Sequence, residues 1–202
     1  MSLNNSANLC YHFGEKFIYF IPGRGKGTSM NDAVETVAQM MAIAAITAPK
    51  TKGQNFVQVK VLTGEPVQQL GQAMIDFVKK NPKKNFERDG KNVLNSDAVV
   101  LIGIKDGATA GMDCGACGFP DCETLSAQPK TTGEYRGPNC AFRLLDMGIA
   151  LGSAAKVAGL LNVDSRIMYR AGVIARDMKL VDWDYVIAIP LSVSCKSIYF
   201  DR

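Results

Sequence analysis

The sequence predicts an α+β fold, and three observations predict it. Apolar residues recur at helical spacing between Val34 and Ala45, and Ala141–Leu161 reads as a long helix dense in small residues. One segment, Phe56–Thr63, alternates apolar and polar residues, while Asp97–Ile104 and Asp184–Leu191 are continuous apolar runs of strand length. Helices and strands follow one another without regular alternation, which separates the pattern from a doubly wound α/β chain. A length of 202 residues suits one domain with a sizeable core, and 47% apolar with 21% charged residues is ordinary globular composition.

The elements run as follows. Residues 1–29 mix aromatics with the basic stretch Gly23–Ser29, read as an N-terminal extension with a non-native start and a flexible linker. Its GRGKGTS motif is not a phosphate loop, because Gly27 separates Lys26 from Thr28. The domain is expected over 30–202. Asn31 or Asp32 is expected to cap a first helix, with Val34, Val37, Ala38, Met41 and Ala45 facing inward and Pro49 ending it. The half-buried strand Phe56–Thr63 follows, then a helix over 66–80, then the interior strand Asp97–Ile104. A Gly-, Pro- and Thr-rich segment of about 35 residues, 106–140, precedes the long helix Ala141–Leu161. That helix is dense in Gly, Ala and Ser, residues that let a neighbouring backbone or a bound group come close. A further helix is expected over Ser165–Leu180, before the closing strand Asp184–Leu191.

Three of the six cysteines fall within nine residues of the segment 106–140, and a fourth stands at its end: Cys114-x2-Cys117-x4-Cys122-x17-Cys140. Small residues around Cys114 and Cys117 let the loop wrap and turn amides inward, where they soften the charge of several thiolates. Asp121 and Cys122 start a short helix, and Cys140 precedes the long one, where a helix N-terminus stabilises a thiolate. Thiolates select soft or borderline metals. Structural zinc uses two tight cysteine pairs. One tight pair, a third cysteine and a distant fourth suit a cubane iron–sulfur cluster better. Zinc, a redox thiol site and chance clustering stay open as the other readings.

The motif CGACGFPDC, followed by GPNC, resembles the four-cysteine domain of Rnf-type electron-transport subunits and corrinoid iron–sulfur proteins. That resemblance implies a 4Fe-4S cluster on Cys114, Cys117, Cys122 and Cys140. From about Met30 to Arg202, the stretches TAPKTKGQNF, NSDAVVLIGIK, GPNCAFRLLDMGIALGSA and NVDSRIMYRAG resemble the ferredoxin-domain family DUF2148. A third resemblance is to nitroreductase-like flavoproteins, through AAITAPKTKGQNF, DMGIALGSAAKVAGLLNV and VIAIPLSVSCKSIYFDR. It implies their sheet and helices, FMN as a second cofactor, and a homodimer built on the helix Ala141–Leu161. It assigns flavin contacts to Lys50, Lys52, Asn55, Lys196 and Arg202. The chain departs from that pattern at Lys50, where those proteins have Ser, and lacks their early Arg-Ser-x-Arg phosphate contact.

A net charge of +4 is too mild for a nucleic-acid stripe, and no apolar run reaches the roughly 18 residues of a membrane span. The single histidine, His12, lies in the N-terminal stretch, which argues against a catalytic triad and excludes a histidine-based metal site. Cys10 is read as incidental, Cys195 as a buried small hydrophobe, Trp183 as packing, and Met40 and Met41 as core filling. The expectation is a cytoplasmic iron–sulfur redox protein, with a redox protein or a small electron donor as its partner. A non-enzymatic electron carrier or cluster-based sensor is the alternative, and a zinc-stabilised structural protein ranks third.

Overall fold

The computed structural model describes residues 29–80 and 85–200. Its sheet has four strands in the order β1-β2-β6-β5, every pairing antiparallel. These are β1 (Val57–Thr63), β2 (Ala98–Ile104), β5 (Asp164–Ser165) and β6 (Tyr185–Ser192). A two-stranded hairpin, β3 (Thr131–Thr132) with β4 (Arg136–Gly137), stands apart in the cysteine segment.

Both faces of the sheet are covered by helices. On one lie α1 (Met30–Thr47) and α5 (Ala141–Leu160); on the other lie α2 (Glu65–Lys80), α3 (Phe86–Leu94) and α6 (Tyr169–Asp177). The two-residue period of the strands sorts their side chains accordingly. Ala98, Val100, Ile102 and Ile104 of β2, with Ile187, Ile189 and Leu191 of β6, pack against α1 and α5. Val99 and Leu101, with Val186 and Ala188, pack against the other layer. Since both faces are covered, β2 is buried at every position, and its continuous apolar run in the sequence follows from that.

The first helix is capped by Ser29. Its hydroxyl accepts from the Asp32 amide, and the Asp32 carboxylate accepts from the Ser29 amide, a reciprocal capping box. The expected cap at Asn31 or Asp32 is therefore corrected: Asp32 is the third helical residue and completes the box. The last helix is shorter than expected. Asp164 and Ser165 pair with β6, and Met168 bridges Ala188, so the chain is extended until α6 begins at Tyr169. There Gly172 meets the carbonyl of Val186 with no room for a side chain, which brings α6 hard onto the sheet. The helix α3 and the short pairings β3, β4 and β5 have no counterpart among the expected elements.

The small residues of α5 fall on two faces. Ala150, Ala154 and Ala158 are fully buried against α1 and the sheet. Gly148, Gly152 and Gly159 face outward, with open space where a Cβ would stand. Around them the outer surface of α1 and α5 exposes Met40, Ile43 and Ile46 beside Leu145, Ile149 and Leu160. Among the described residues, no helix is long and apolar enough to cross a membrane.

Candidate functional site

The cysteine segment enters between the two central strands, leaving β2 at Ile104 and returning through α5 to β6. Its loop needs left-handed backbone, found at Asp106, Gly111, Asp113, Gly115 and Gly118. The Gly118 amide donates to the Gly115 carbonyl at 2.9 Å, which closes the turn carrying Cys117. Asp113 folds the loop back, its carboxylate accepting from the Cys122 amide at 2.8 Å. Asp121 caps the short helix α4 (Cys122–Ala127) by accepting from the Thr124 amide at 2.7 Å. The amide bond to Asp121 holds its carboxyl below the usual carboxylate range.

Cys140 is the N-cap of α5 and makes no side-chain capping bond, so its sulfur is free for another task. It is buried with Ala110 and Leu125 in a small apolar cluster, against which Cys117, Phe119 and Phe142 pack. Cys114 is exposed and Cys122 half-buried, and all four thiols are free. Thus Cys117 and Cys140 share one cluster, Cys122 opens the adjoining helix, and Cys114 stands at the surface. Among the described residues, no three His, Cys, Asp or Glu side chains are gathered closely enough to hold a metal ion. The donor set is nonetheless all sulfur, carried on one segment, and its chemistry fits a thiolate-bound centre. A cleft of about 280 Å³ opens beside Cys140, lined on its polar side by Thr109, Ser126, Gln128, Lys130 and Asn139.

The far half of the segment is fastened to the sheet by Asp184, whose side chain is 1% exposed. Lys130 Nζ lies 2.5 Å and Arg136 Nη1 3.3 Å from its carboxylate, and the Asp106 amide donates to it at 3.2 Å. Tyr135 stacks on Tyr185 with ring centroids 3.9 Å apart, and its hydroxyl donates to the Val186 carbonyl. Burial pushes the Tyr135 phenol well above its ordinary pKa.

The turn between α1 and β1 brings Lys50, Lys52 and Asn55 together. The Lys50 ammonium donates to the carbonyls of Ala45, Ile46 and Ala48, so it closes the C-terminus of α1. Burial lowers its pKa, against the raising influence of Asp146. Lys52 reaches the Gly111 carbonyl of the cysteine loop at 3.2 Å. Asn55 accepts from the Val57 amide at the start of β1. Lys196 is exposed in the tail after β6, and no contact joins it to this turn among the described residues. Arg202 lies outside the described residues, as do His12 and Cys10.

Two residues missing from the sequence-based site are Arg143 and Asp146, buried on the first turns of α5 at 1% and 3% exposure. Arg143 Nε donates to the Ala108 carbonyl at 2.9 Å, and Nη2 to Gln54 Oε1 at 2.5 Å. Its Nη1 faces the Thr51 carbonyl at 3.1 Å and Asp146 Oδ2 at 3.3 Å. The guanidinium also lies over the Phe56 ring, 4.6 Å from its centroid. Asp146 Oδ1 accepts from both the amide and the hydroxyl of Thr51 at 2.7 Å. The available signal was an Arg and an Asp three residues apart on the first turns of a largely apolar helix, a pairing that burial demands.

The antiparallel sheet with helices on both faces is the nitroreductase type of α+β fold. It superimposes with a TM-score of 0.53 on a nitroreductase with bound FMN from Desulfitobacterium hafniense, at 13% identity over 80% of this chain and 79% of that one. A TM-score of 0.55 relates it to an FMN-dependent nitroreductase from Mycobacterium smegmatis in complex with NADPH, at 10% identity over 83% and 82% of the two chains. In sequence it is 42% identical over 172 residues to an uncharacterized protein of Archaeoglobus fulgidus, covering 85% of this chain and 93% of the relative. The chain belongs to the family of uncharacterized proteins containing a ferredoxin domain (DUF2148), whose profile matches residues 136–202.

Proposed function

We propose that this protein is a one-electron redox protein that holds a 4Fe-4S cluster on Cys114, Cys117, Cys122 and Cys140. The observation that carries the reading is the placement of four free thiols on the single segment 106–140, with Cys140 at the N-terminus of a 20-residue helix. The ferredoxin-domain family supports it. When bound, such a cluster supplies reversible storage of a single electron. The chain's own residues do the rest. The N-terminus of α5 faces Cys140 with its partial positive charge and favours the thiolate. Leu125, Phe119 and Phe142 shield the inner side of the segment from water. Exposed Cys114 leaves one edge open to an electron donor or acceptor. The segment 106–140 then works within one α+β domain that starts near Met30.

The test is anaerobic purification followed by iron, sulfide and zinc analysis and an absorption spectrum. About four iron and four sulfide per chain are expected. Stoichiometric zinc without acid-labile sulfide would overturn the reading in favour of a zinc-stabilised structure.

A second reading adds FMN and a homodimer, which would make the protein a flavin- and cluster-dependent oxidoreductase. The outward face of α5 favours it: Gly148 and Gly152 leave open space for a flat ring, and the apolar residues around them suit a second copy. Asn55 and Lys52 stand on the turn beside α5, and Lys196 and Arg202 are the phosphate contacts this reading requires. Without FMN the same cluster serves an electron carrier or a sensor.

A further inference from the structure

The α1–β1 turn, Ala48–Phe56, and the loop that enters the cysteine segment are more than 50 residues apart in sequence, yet one side chain holds both. We propose that Arg143 is a positioning residue that makes the turn and the cysteine segment a single cooperative unit, so that filling the cysteine site orders the turn. The inference rests on the cluster reading above.

The geometry argues for it. The Arg143 fork has one prong on each side. Nε holds the Ala108 carbonyl, six residues before Cys114, while the two terminal nitrogens hold the Thr51 carbonyl and Gln54. Asp146 repeats the link from the helix side by accepting from the Thr51 amide. Lys52 makes a third tie, from the turn to Gly111. Arg143 itself stands three residues after Cys140, on the first turn of the helix that Cys140 caps. Arginine has five donors in a rigid plane and no acceptor, so buried carbonyls from two segments can be met at once only if both are in place.

Coupling needs an element whose contacts differ between two states. With the thiols unliganded, the loop around Ala108 and Gly111 is held by hydrogen bonds to the Arg143 and Lys52 side chains and by the packing of Ala110 against Cys140 and Leu125. A cluster would fix Cys114 and Cys140 together and hold those carbonyls against Arg143 and Lys52. The turn gains order through the same bonds. By linkage, anything that orders the turn, including a ligand bound on it, tightens the cysteine site by the same factor.

Hydrogen exchange read by mass spectrometry on the full chain tests this, with cluster-loaded and cluster-free protein compared by iron and sulfide content. Loading is expected to slow exchange across residues 50–56, with the Thr51 amide as the direct reporter, by about tenfold or more. In Arg143→Lys, which keeps the charge and loses the fork, protein loaded to the same iron content should show less than about a twofold change. Gln54→Ala, which removes one acceptor from a side chain outside the core, should give an intermediate change. Wild-type protein that takes up the cluster with no slowing in 50–56 overturns the coupling and leaves the cluster reading standing. Arg143→Lys or Gln54→Ala with undiminished slowing also overturns it. Wild-type protein that never takes up iron and sulfide overturns both.

Discussion

Lys130 and Asp184 form an ion pair across 54 residues of sequence, 2.5 Å apart, with the carboxylate almost wholly out of water. It is the point at which the cysteine segment is pinned to the central strand β6. A buried carboxylate that loses its cations, or a cation pair that loses its carboxylate, is expensive in free energy. Asp184→Ala, which leaves the partly exposed Lys130 and Arg136 free to rehydrate, is expected to destabilise the fold by about 1.5–3 kcal/mol. Lys130→Ala, which leaves Arg136 in place, should do less harm. Urea unfolding of the three proteins measures the difference, and equal midpoints would mean the pair is dispensable.

Removal of the distant cysteine separates the cluster reading from its rivals. Cys140→Ala is expected to leave a labile cluster or one of about three irons, with the start of α5 loosened, because ligand binding is linked to folding. An unchanged spectrum would mean that another sulfur completes the site; Cys195 is the exposed thiol to examine next.

The exposed apolar face of α1 and α5 predicts a two-fold dimer. Light scattering is expected to give about twice the chain mass of 21.8 kDa. Ile43 and Ile149 are 62% and 47% exposed, so their replacement by Glu should not disturb the core. Ile43→Glu with Ile149→Glu should yield a folded monomer. A wild-type monomer at micromolar concentration would count against the dimer.

FMN binding is tested by titration with fluorescence quenching. The reading expects micromolar or tighter affinity, weakened by about 2–4 kcal/mol in Lys196→Ala with Arg202→Ala, the scale of two charged phosphate contacts. Lys50 is bound to the carbonyls at the end of α1. Lys50→Ala should therefore lower stability by about 1 kcal/mol and leave the flavin affinity as it was. Absence of quenching at any FMN concentration would leave the cluster as the cofactor to pursue.

Alkaline pH should unfold the protein through its buried phenols. Tyr199 is 3% exposed and bonded to Ser96, and burial raises its pKa; Tyr135 is raised by the same cause. Both folded pKa values stand above the unfolded value near 10.0. Above that pH the unfolded chain binds fewer protons than the folded one, so stability falls as pH rises. Each phenol should contribute a slope of about 1.4 kcal/mol per pH unit above 10. Tyr199→Phe is expected to flatten the decline; an unchanged slope would remove Tyr199 from the account.

The legible parts of the fold were those with one dominant signal. The continuous apolar runs of β2 and β6 read as interior strands because both their faces are covered. The inward face of α1 read as a helix from Val34, Val37, Ala38, Met41 and Ala45; four are buried and Val37 is half-buried against them. The ends were less legible, since they depend on local pairing. Ser29 outcompetes Asn31 as a cap because Asp32 can answer it. Residues 165–168 look helical but are claimed by the edge of β6. Lys50 and Lys52 look alike in sequence, and only the geometry shows one closing a helix and the other bridging to the cysteine loop. Arg143 and Asp146 could be read as charges unsuited to a membrane; their role as a knot between three segments depends on contacts about 90 residues apart.

The strand order has a consequence for how the chain is made. β6 is a central strand, yet among the described residues it is the last strand in chain order. Until residues 184–192 emerge, β2 has a bare edge, the carboxylate of Asp184 is missing, and the segment 106–140 hangs from β2 at one end and α5 at the other. The cysteines therefore leave the ribosome well before the framework that pins them exists. In vectorial synthesis the thiols are thus made before β6 can pair with β2 and before Asp184 can meet Lys130 and Arg136. A chain truncated before Asp184 would keep all four cysteines and lose that anchorage.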